Sequence, residues 1–245
     1  MKQTSDIVNN FIKPLENHEV IKIIDKILFD NNVHNHILFD TKEINILLRD
    51  KIDILKTLEI LKNDPQLSFK MLIDVCGVDY LYGRNNVGLY KVLNKYSSNG
   101  IAEDINTNQS LIEFHKNTRF EVVYHLLSFK LNSRVRIKVF VNDEETVESV
   151  SDIFNSACWF EREVFDMFGI YFTNSPDCRR ILTDYNFKGF PLRKDFPLTG
   201  YKQIRYDNDK KEIIQEDVSL TQEYRKFEFE TPWTSAVYDI KNTKN

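Results

Sequence analysis

The segment that decides the fold spans residues 119–141 and reads RFEVVYHLLSFKLNSRVRIKVFV. Its halves, Arg119 to Phe129 and Arg134 to Val141, are separated by the four residues KLNS, which predicts a hairpin. In the second half, apolar residues at 135, 137, 139 and 141 alternate with basic residues at 134, 136 and 138. The alternation predicts that one face of the sheet is buried and the other is exposed to solvent. It favours an antiparallel sheet with helices on one face.

The residues before the hairpin predict further elements of the same domain. Apolar residues at 20, 23, 24, 27 and 28 have helical spacing. Breaker and strand signals then predict strands at 36–39, 43–48 and 69–75, and a helix at about 51–62. The Asn- and Ser-rich residues 84–118 are weakly periodic, so we expect a mobile insertion without function and with one possible short strand near 89–93.

A second helix is predicted after the hairpin. Ser149 and Asp152 resemble a capping box, and Ser156 is an alternative cap if the helix breaks near Asn155. Gly169 is placed to end the helix, and one arc contains the apolar residues at 150, 153, 154, 157, 164 and 168. Glu161 falls inside the apolar arc. A buried carboxylate needs a partner, so we expect an ion pair between Glu161 and an Arg or Lys.

The charges on the far side of this helix are Arg162, Glu163 and Asp166, beside Trp159. Both helix faces therefore carry groups that need contacts, which is unusual for a surface helix. If Glu161 and Asp166 acted as an acid and base pair, the chain would be a hydrolase. At about 100° per residue, however, the two side chains point about 140° apart on the helix, so they cannot share a substrate.

The chain from Pro176 to Tyr206 has no lasting period and mixes seven Lys or Arg with three Asp and six aromatic residues. Such aromatics cannot form a core of their own, and a long structureless stretch is unusual in a compact domain. We expect an extended arm laid on another protein. The sequence thus predicts an α+β fold: an α+β domain at 1–142 with a mixed or antiparallel sheet and the insertion 84–118, then a helix and a long extended C-terminal docking arm at 143–245.

Composition excludes several functions. The net charge is -4 and the pI is about 5.8, so nucleic acid would need a local patch, and the Asp residues in the arm count against single-strand binding. The sequence contains no apolar run long enough to predict a membrane span. Cys76, Cys158 and Cys178 match no metal or cluster spacing, and His34 with His36 fits surface histidines better than a metal site.

Two longer runs carry a family resemblance. Residues 159–170 read WFEREVFDMFGI and residues 176–201 read PDCRRILTDYNFKGFPLRKDFPLTGY. Together they strongly resemble subunit 9, the 30-kilodalton subunit, of respiratory complex I, NADH:ubiquinone oxidoreductase. Weaker matches lie at 74–80 and 119–128, so the resemblance covers about 20–206 except the insertion. Phe165, Ser175, Cys178 and Asn155 depart from the usual Trp, His, Leu and Pro.

The resemblance implies a non-redox core subunit of the quinone-reducing module. Its partners would be other complex I subunits, chiefly the large quinone-site (49-kilodalton-type) subunit and neighbouring iron–sulfur subunits, and this chain would bind no cofactor, metal or nucleic acid. The missing GxGxxG motif and cysteine spacing agree with that. We expect no catalytic residues. The predicted partner-docking residues are Glu161, Arg162, Glu163, Asp166, Arg179, Arg180, Arg193, Lys194 and Asp195.

The expected location is the matrix side of the mitochondrial inner membrane. Residues 1–6 lack a secretory signal or transit-peptide character, and abundant Asn, Lys and Ile suggest an AT-rich genome, so we expect an organelle-encoded chain. Two related alternatives stay open. They are a homologous subunit of a plastid or bacterial enzyme, the latter on the cytoplasmic face, or of a membrane-bound hydrogenase.

Overall fold

The computed structural model describes residues 17–33, 35–40, 43–48, 50–81, 118–220 and 222. The insertion predicted at 84–118 lies outside the described residues, apart from Thr118, and so does its short strand. The chain divides into two compact units, Met1–Leu198 and Thr199–Asn245. No helix in the described ranges is long and apolar enough to span a membrane.

The first unit is built on a five-stranded mixed sheet. Its helices are α1 (Asn17–Asp30), α2 (Ile54–Asn63, after a 3-10 turn at Lys51–Asp53) and α3 (Ala157–Phe168), and its strands are β1 (Asn35–Asp40), β2 (Glu43–Leu48), β3 (Met71–Asp79), β4 (Phe120–Ser128), β5 (Ser133–Val141), β6 (Thr146–Glu148) and β7 (Tyr171–Thr173). The order in the large sheet is β1-β2-β5-β4-β3, and β6 pairs with β7 in a separate parallel ribbon.

The predicted hairpin is the centre of this sheet. β4 and β5 pair antiparallel from Phe120 opposite Val141 to Ser128 opposite Ser133. β1 with β2 and β3 with β4 are also antiparallel pairs, but β2 runs parallel to β5. The sheet is therefore mixed, because a strand that returns through a long connection can take either direction. The predicted α+β class is confirmed.

One face of the sheet holds the core. The side chains of Val135, Ile137, Val139 and Val141 are at most 2% exposed and pack with α1, α2 and α3 in one apolar cluster. The opposite face is less open than predicted, since Val123 and Phe140 are also buried.

Helix α3 lies against β3 because Gly77 leaves room for it. A Cβ atom at Gly77 would stand 2.7 Å from Cδ2 of Phe168, which is shorter than side chains tolerate. The helix ends at Gly169, as predicted: its φ is 73°, and its N–H donates to the carbonyl of Phe165 at 2.8 Å. The predicted helical start at Ser149 is wrong, since residues 151–153 form a turn and α3 begins at Ala157.

The second unit contains a hairpin that the sequence analysis did not predict. β8 (Lys202–Asp207) and β9 (Glu212–Asp217) pair antiparallel over their full length. The Asp207 carboxylate accepts from the N–H groups of Asp209 and Lys210 at 2.9 and 3.2 Å. This Asx-type turn was the missed signal, since Asp and Asn favour turns through such bonds.

Candidate functional site

The carboxylate of Asp166 organises the segment from Pro176 to Leu198, which follows β7. Its side chain is fully buried at the end of α3, and it accepts from the N–H groups of Ile181, Leu182 and Thr183 at 3.1, 2.7 and 2.9 Å. The Thr183 hydroxyl and Nη1 of Arg180 donate to its other oxygen at 2.5 and 2.7 Å. Burial alone would raise the pKa of Asp166, but these hydrogen bonds lower it to about 2.

Arg180 extends this contact into the aromatic residues of the segment. Its Nη2 donates to the carbonyl of Gly189 at 3.0 Å, and its guanidinium lies 5.7 and 5.4 Å from the ring centres of Phe187 and Phe190. The guanidinium is thus paired with a carboxylate and stacked on rings. Part of the segment expected to lack internal contacts is therefore packed on its own unit.

A second carboxylate holds the far end of the same segment. Asp79 ends β3 with no exposed side-chain surface, and Arg119 donates to it through Nε and Nη2 at 3.2 and 3.0 Å. The N–H of Lys194 also donates to Asp79, at 2.9 Å. Burial raises the pKa of Asp79, but the bonds from Arg119 and Lys194 outweigh it and the net shift is downward. Asp195 adds an ion pair to Arg119 at 2.9 Å.

Arg193 completes this end of the segment. Its Nε donates to the carbonyl of Phe168 at 2.6 Å, its Nη1 pairs with Asp143 at 3.1 Å, and its guanidinium lies 4.7 Å from the ring centre of Phe190. Arg193 therefore joins the end of α3 to the segment. Like Arg180, it is only partly exposed, so it is not a free basic surface group.

Arg162 holds the beginning of the segment against α3. Its guanidinium pairs with Asp177 at 3.3 Å and donates to the carbonyls of Arg179 and Arg180 at 2.9 and 3.2 Å. It also lies 5.1 Å from the ring centre of Trp159. The far side of α3 thus finds part of its contacts inside the chain.

The ion pair expected for Glu161 is not formed among the described residues. The carboxylate is 1% exposed and accepts from the Ser149 hydroxyl at 2.7 Å and from the Val150 N–H at 2.8 Å. Two donors from the turn before α3 therefore take the place of a cation. Ser149 does not cap α3, because α3 begins at Ala157, and its hydroxyl oxygen instead accepts from the Ser151 N–H at 3.2 Å. Burial raises the pKa of Glu161, and the hydrogen bonds only partly oppose it.

The predicted docking residues fall into two groups. Internal contacts are made by Glu161, Arg162, Asp166, Arg180, Arg193 and Asp195, as described above. The side chains of Glu163, Arg179 and Lys194 are exposed, and Arg179 also forms an ion pair with Asp177 at 2.7 Å. No structural contact tests docking itself, which stays a prediction for all of them. The sequence analysis missed Asp79, Arg119 and Asp143, although Asp79 and Arg119 lie in the weaker of the quoted matches.

Several apolar side chains of the segment are exposed, among exposed charges such as Arg179 and Lys194. Leu182 is 62% exposed, Tyr185 72% and Leu198 87%, on a backbone held by the buried carboxylates. A small cavity nearby, bounded by Glu161, Phe165, Ser175 and Cys178 among others, has about 10 Å³ of room, enough for about one water molecule. Within the described ranges, no three His, Cys, Asp or Glu side chains are grouped as metal ligands.

Comparison with known proteins matches residues 48–202 to the family described as "Respiratory-chain NADH dehydrogenase, 30 Kd subunit". The chain belongs to this family. The matched range contains β3 to β7, both carboxylate contacts and the whole segment from Pro176 to Leu198. The resemblance drawn from the two quoted runs is confirmed.

Comparison with individual relatives supports the same family. The chain is 47% identical over 180 residues to an NADH-quinone oxidoreductase subunit of Paramagnetospirillum magneticum, which covers 74% of both chains. It is 42% identical over 192 residues to NADH-ubiquinone oxidoreductase subunit 9 of Reclinomonas americana, 78% of both. With an NADH-quinone oxidoreductase subunit of Rickettsia conorii it shares 43% over 222 residues, 88% of this chain and 91% of the relative.

Proposed function

We propose that this chain is the 30-kilodalton subunit of a proton-translocating NADH:ubiquinone oxidoreductase. In this function it joins the quinone-reducing module and docks on the large quinone-site subunit and on neighbouring iron–sulfur subunits. The observation that carries the proposal is the family match over residues 48–202, which includes the whole segment from Pro176 to Leu198.

The geometry of that segment supports docking through its outer side. The carboxylates of Asp166 and Asp79 fix its backbone from within through N–H donors. The side chains of Leu182, Tyr185 and Leu198 are exposed on this backbone. They therefore need little further ordering when a partner binds. A surface fixed before association loses less conformational entropy on binding. The proposed docking surface therefore consists of these three side chains with the exposed charges of Arg179 and Lys194.

The chain itself contributes no redox or catalytic group in this proposal. The carboxylate of Glu161 is occupied by a hydroxyl and a backbone donor, and that of Asp166 also by Arg180, so Asp166 stays ionised with its pKa near 2. An acid or base must exchange a proton near working pH, so Asp166 is unsuited to that task. The cofactors of the complex would belong to other subunits.

The proposed location is peripheral, on the matrix side of the mitochondrial inner membrane. The Reclinomonas americana relative, named for ubiquinone, and the composition of this chain support this location. The bacterial relatives keep the cytoplasmic face of a bacterial membrane as the alternative.

Replacing the outer apolar residues tests the docking proposal. We expect the triple variant Leu182→Ser, Tyr185→Ser and Leu198→Ser to lower the amount of assembled enzyme, because buried apolar anchors carry much of the free energy of an interface. Native gels of solubilised membranes, probed for this chain, measure the assembled amount. Circular dichroism of the purified variant measures whether the chain still folds.

The matched control replaces three residues that are equally exposed elsewhere in the unit. Phe29, Ile52 and Phe129 are 79%, 77% and 74% exposed, so their replacement by Ser changes a similar amount of apolar surface away from the segment. Normal assembly of the control with reduced assembly of the segment variant supports the proposal. Equal assembly of both variants would refute docking through this surface.

A further inference from the structure

Two cysteines lie on the two elements that Arg162 joins, α3 and the segment. Cys158 is in the first turn of α3 and partly exposed, and Cys178 is exposed in the chain after β7. They are 20 positions apart and belong to different elements. None of the contacts described above uses either thiol.

Arg162 brings the two thiols to the same side of the helix. It contacts Asp177 at 3.3 Å and the carbonyl of Arg179 at 2.9 Å, which are the residues on either side of Cys178. Arg162 is also four residues after Cys158, and residues four apart on a helix have Cβ atoms about 5 to 6 Å from each other. Cys178 is therefore held next to the helical turn that carries Cys158.

Two further observations agree with this placement. Cys178 lines the small cavity together with Glu161 and Arg162, the residues three and four positions after Cys158. Burial is the largest cause that raises the pKa of Cys158, and the nearby charges of Glu161, Asp177 and Cys178 raise it further. The electrostatic effect of Cys178 on Cys158 places the two thiols in the same neighbourhood.

The third cysteine is kept away from this pair. Gly77 faces Phe168 of α3, so its neighbour Cys76 points to the opposite face of the sheet. There its sulfur lies 3.8 Å from Nε2 of His125. Cys76 is thus an internal control for any chemistry of the other two.

We propose that Cys158 and Cys178 form an oxidation site, which hydrogen peroxide converts to an intramolecular disulfide. The thiolate of the exposed Cys178 attacks one peroxide oxygen, the O–O bond breaks, and the departing hydroxide takes a proton to become water. The thiolate of Cys158 then attacks the sulfenic sulfur of Cys178, the S–S bond forms, and a second water leaves. Two thiols are oxidised by two electrons and one peroxide is reduced to two waters.

The disulfide would fasten the first turn of α3 to the start of the segment, where Arg162 already holds them. Its formation requires the Cβ atoms of the two cysteines to lie about 3.5 to 4.5 Å apart. This inference does not depend on the proposed function, since it concerns the chain before any partner covers it.

Peptide mapping of the full chain tests the inference. The purified protein is treated with dilute hydrogen peroxide, free thiols are blocked with N-ethylmaleimide, and the chain is cut with trypsin, which cleaves after Arg162 between the two cysteines. Mass spectrometry should find the Cys158 and Cys178 peptides joined, with the loss of two hydrogens, and separated again by a reductant. Most Cys76 should carry the maleimide.

Single variants distinguish the possible outcomes. Cys76→Ser should keep the linked peptide, whereas Cys158→Ser and Cys178→Ser should lose it, and in Cys158→Ser the sulfenic acid on Cys178 should react with dimedone. Sulfinic acid on Cys178 with a free Cys158 in the unchanged chain would overturn the inference. So would disulfide-linked dimers on a non-reducing gel in place of the internal link.

Discussion

Replacing Asp166 with Asn should destabilise the first unit strongly. The carboxylate receives three backbone N–H groups, the Thr183 hydroxyl and the Arg180 guanidinium without any exposed side-chain surface. In the Asn variant one acceptor oxygen becomes an NH2 donor, which faces other donors. The guanidinium of Arg180 also loses its counterion.

The magnitude follows from the pKa. A shift of the Asp166 pKa from 3.8 to about 2 corresponds to about 2.5 kcal/mol of preference for the charged form. Removing one partner of a buried ion pair costs about 3 to 5 kcal/mol. We therefore expect Asp166→Asn to lower the free energy of unfolding by about 3 kcal/mol or more, a large part of the stability of an ordinary domain.

Urea unfolding followed by circular dichroism measures this loss. Glu163→Gln, which changes an exposed carboxylate on the same helix, is the control and should stay within about 0.5 kcal/mol of the unchanged protein. Because the folded-state pKa of Asp166 is depressed, its contribution is present above about pH 4 and is lost as the pH falls toward 2. The Asn variant should lack that part of the acid sensitivity. A variant as stable as the control would refute the reasoning.

Three further changes have expected outcomes. Glu161→Gln should lower the free energy of unfolding by about 1 to 3 kcal/mol, because it disturbs buried hydrogen bonds. Burial raises the folded-state pKa of Glu161, so the stability of the wild-type protein falls as the pH rises above about 4.5. The difference in stability between wild type and variant should therefore shrink over that range in urea titrations. Gly77→Ala should cost about 1 to 3 kcal/mol by overpacking against Phe168, and a second change, Phe168→Leu, should recover part of it in thermal unfolding. Arg119→Ala should cost about 3 to 5 kcal/mol by leaving the buried Asp79 without its cation, and wild-type unfolding curves for this variant would contradict that role.

Local patterns predicted most elements of the first unit. The hairpin of β4 and β5 was expected within one residue of its observed bounds, and β2 and the helices α1 and α2 were also placed correctly. These elements depend on alternation, helical spacing and breaker residues that are close together in the sequence. The parallel pairing of β2 with β5 could not be predicted in this way, because it joins segments about 90 positions apart.

Glu161, Asp166, Arg180 and Arg193 were named from the sequence, but their contacts were not predicted. Helical spacing placed Glu161 in the apolar arc correctly, yet a wheel does not show which groups surround a buried carboxylate, and the donors came from Ser149 and Val150. Arg119 and Asp79 were missed as a pair, since 40 positions and the insertion separate them. The packing of residues 176–198 depends on such distant contacts and carries no periodic signal.

In the proposed function, this chain is a subunit of NADH:quinone oxidoreductase that docks through the segment from Pro176 to Leu198. The most direct test of this proposal is native electrophoresis of detergent-solubilised membranes, with an antibody against the chain and an in-gel assay of NADH dehydrogenase activity. The account predicts that all detectable chain migrates with the band of activity at high mass. Migration as a free protein near 29.1 kDa, away from that band, would contradict it.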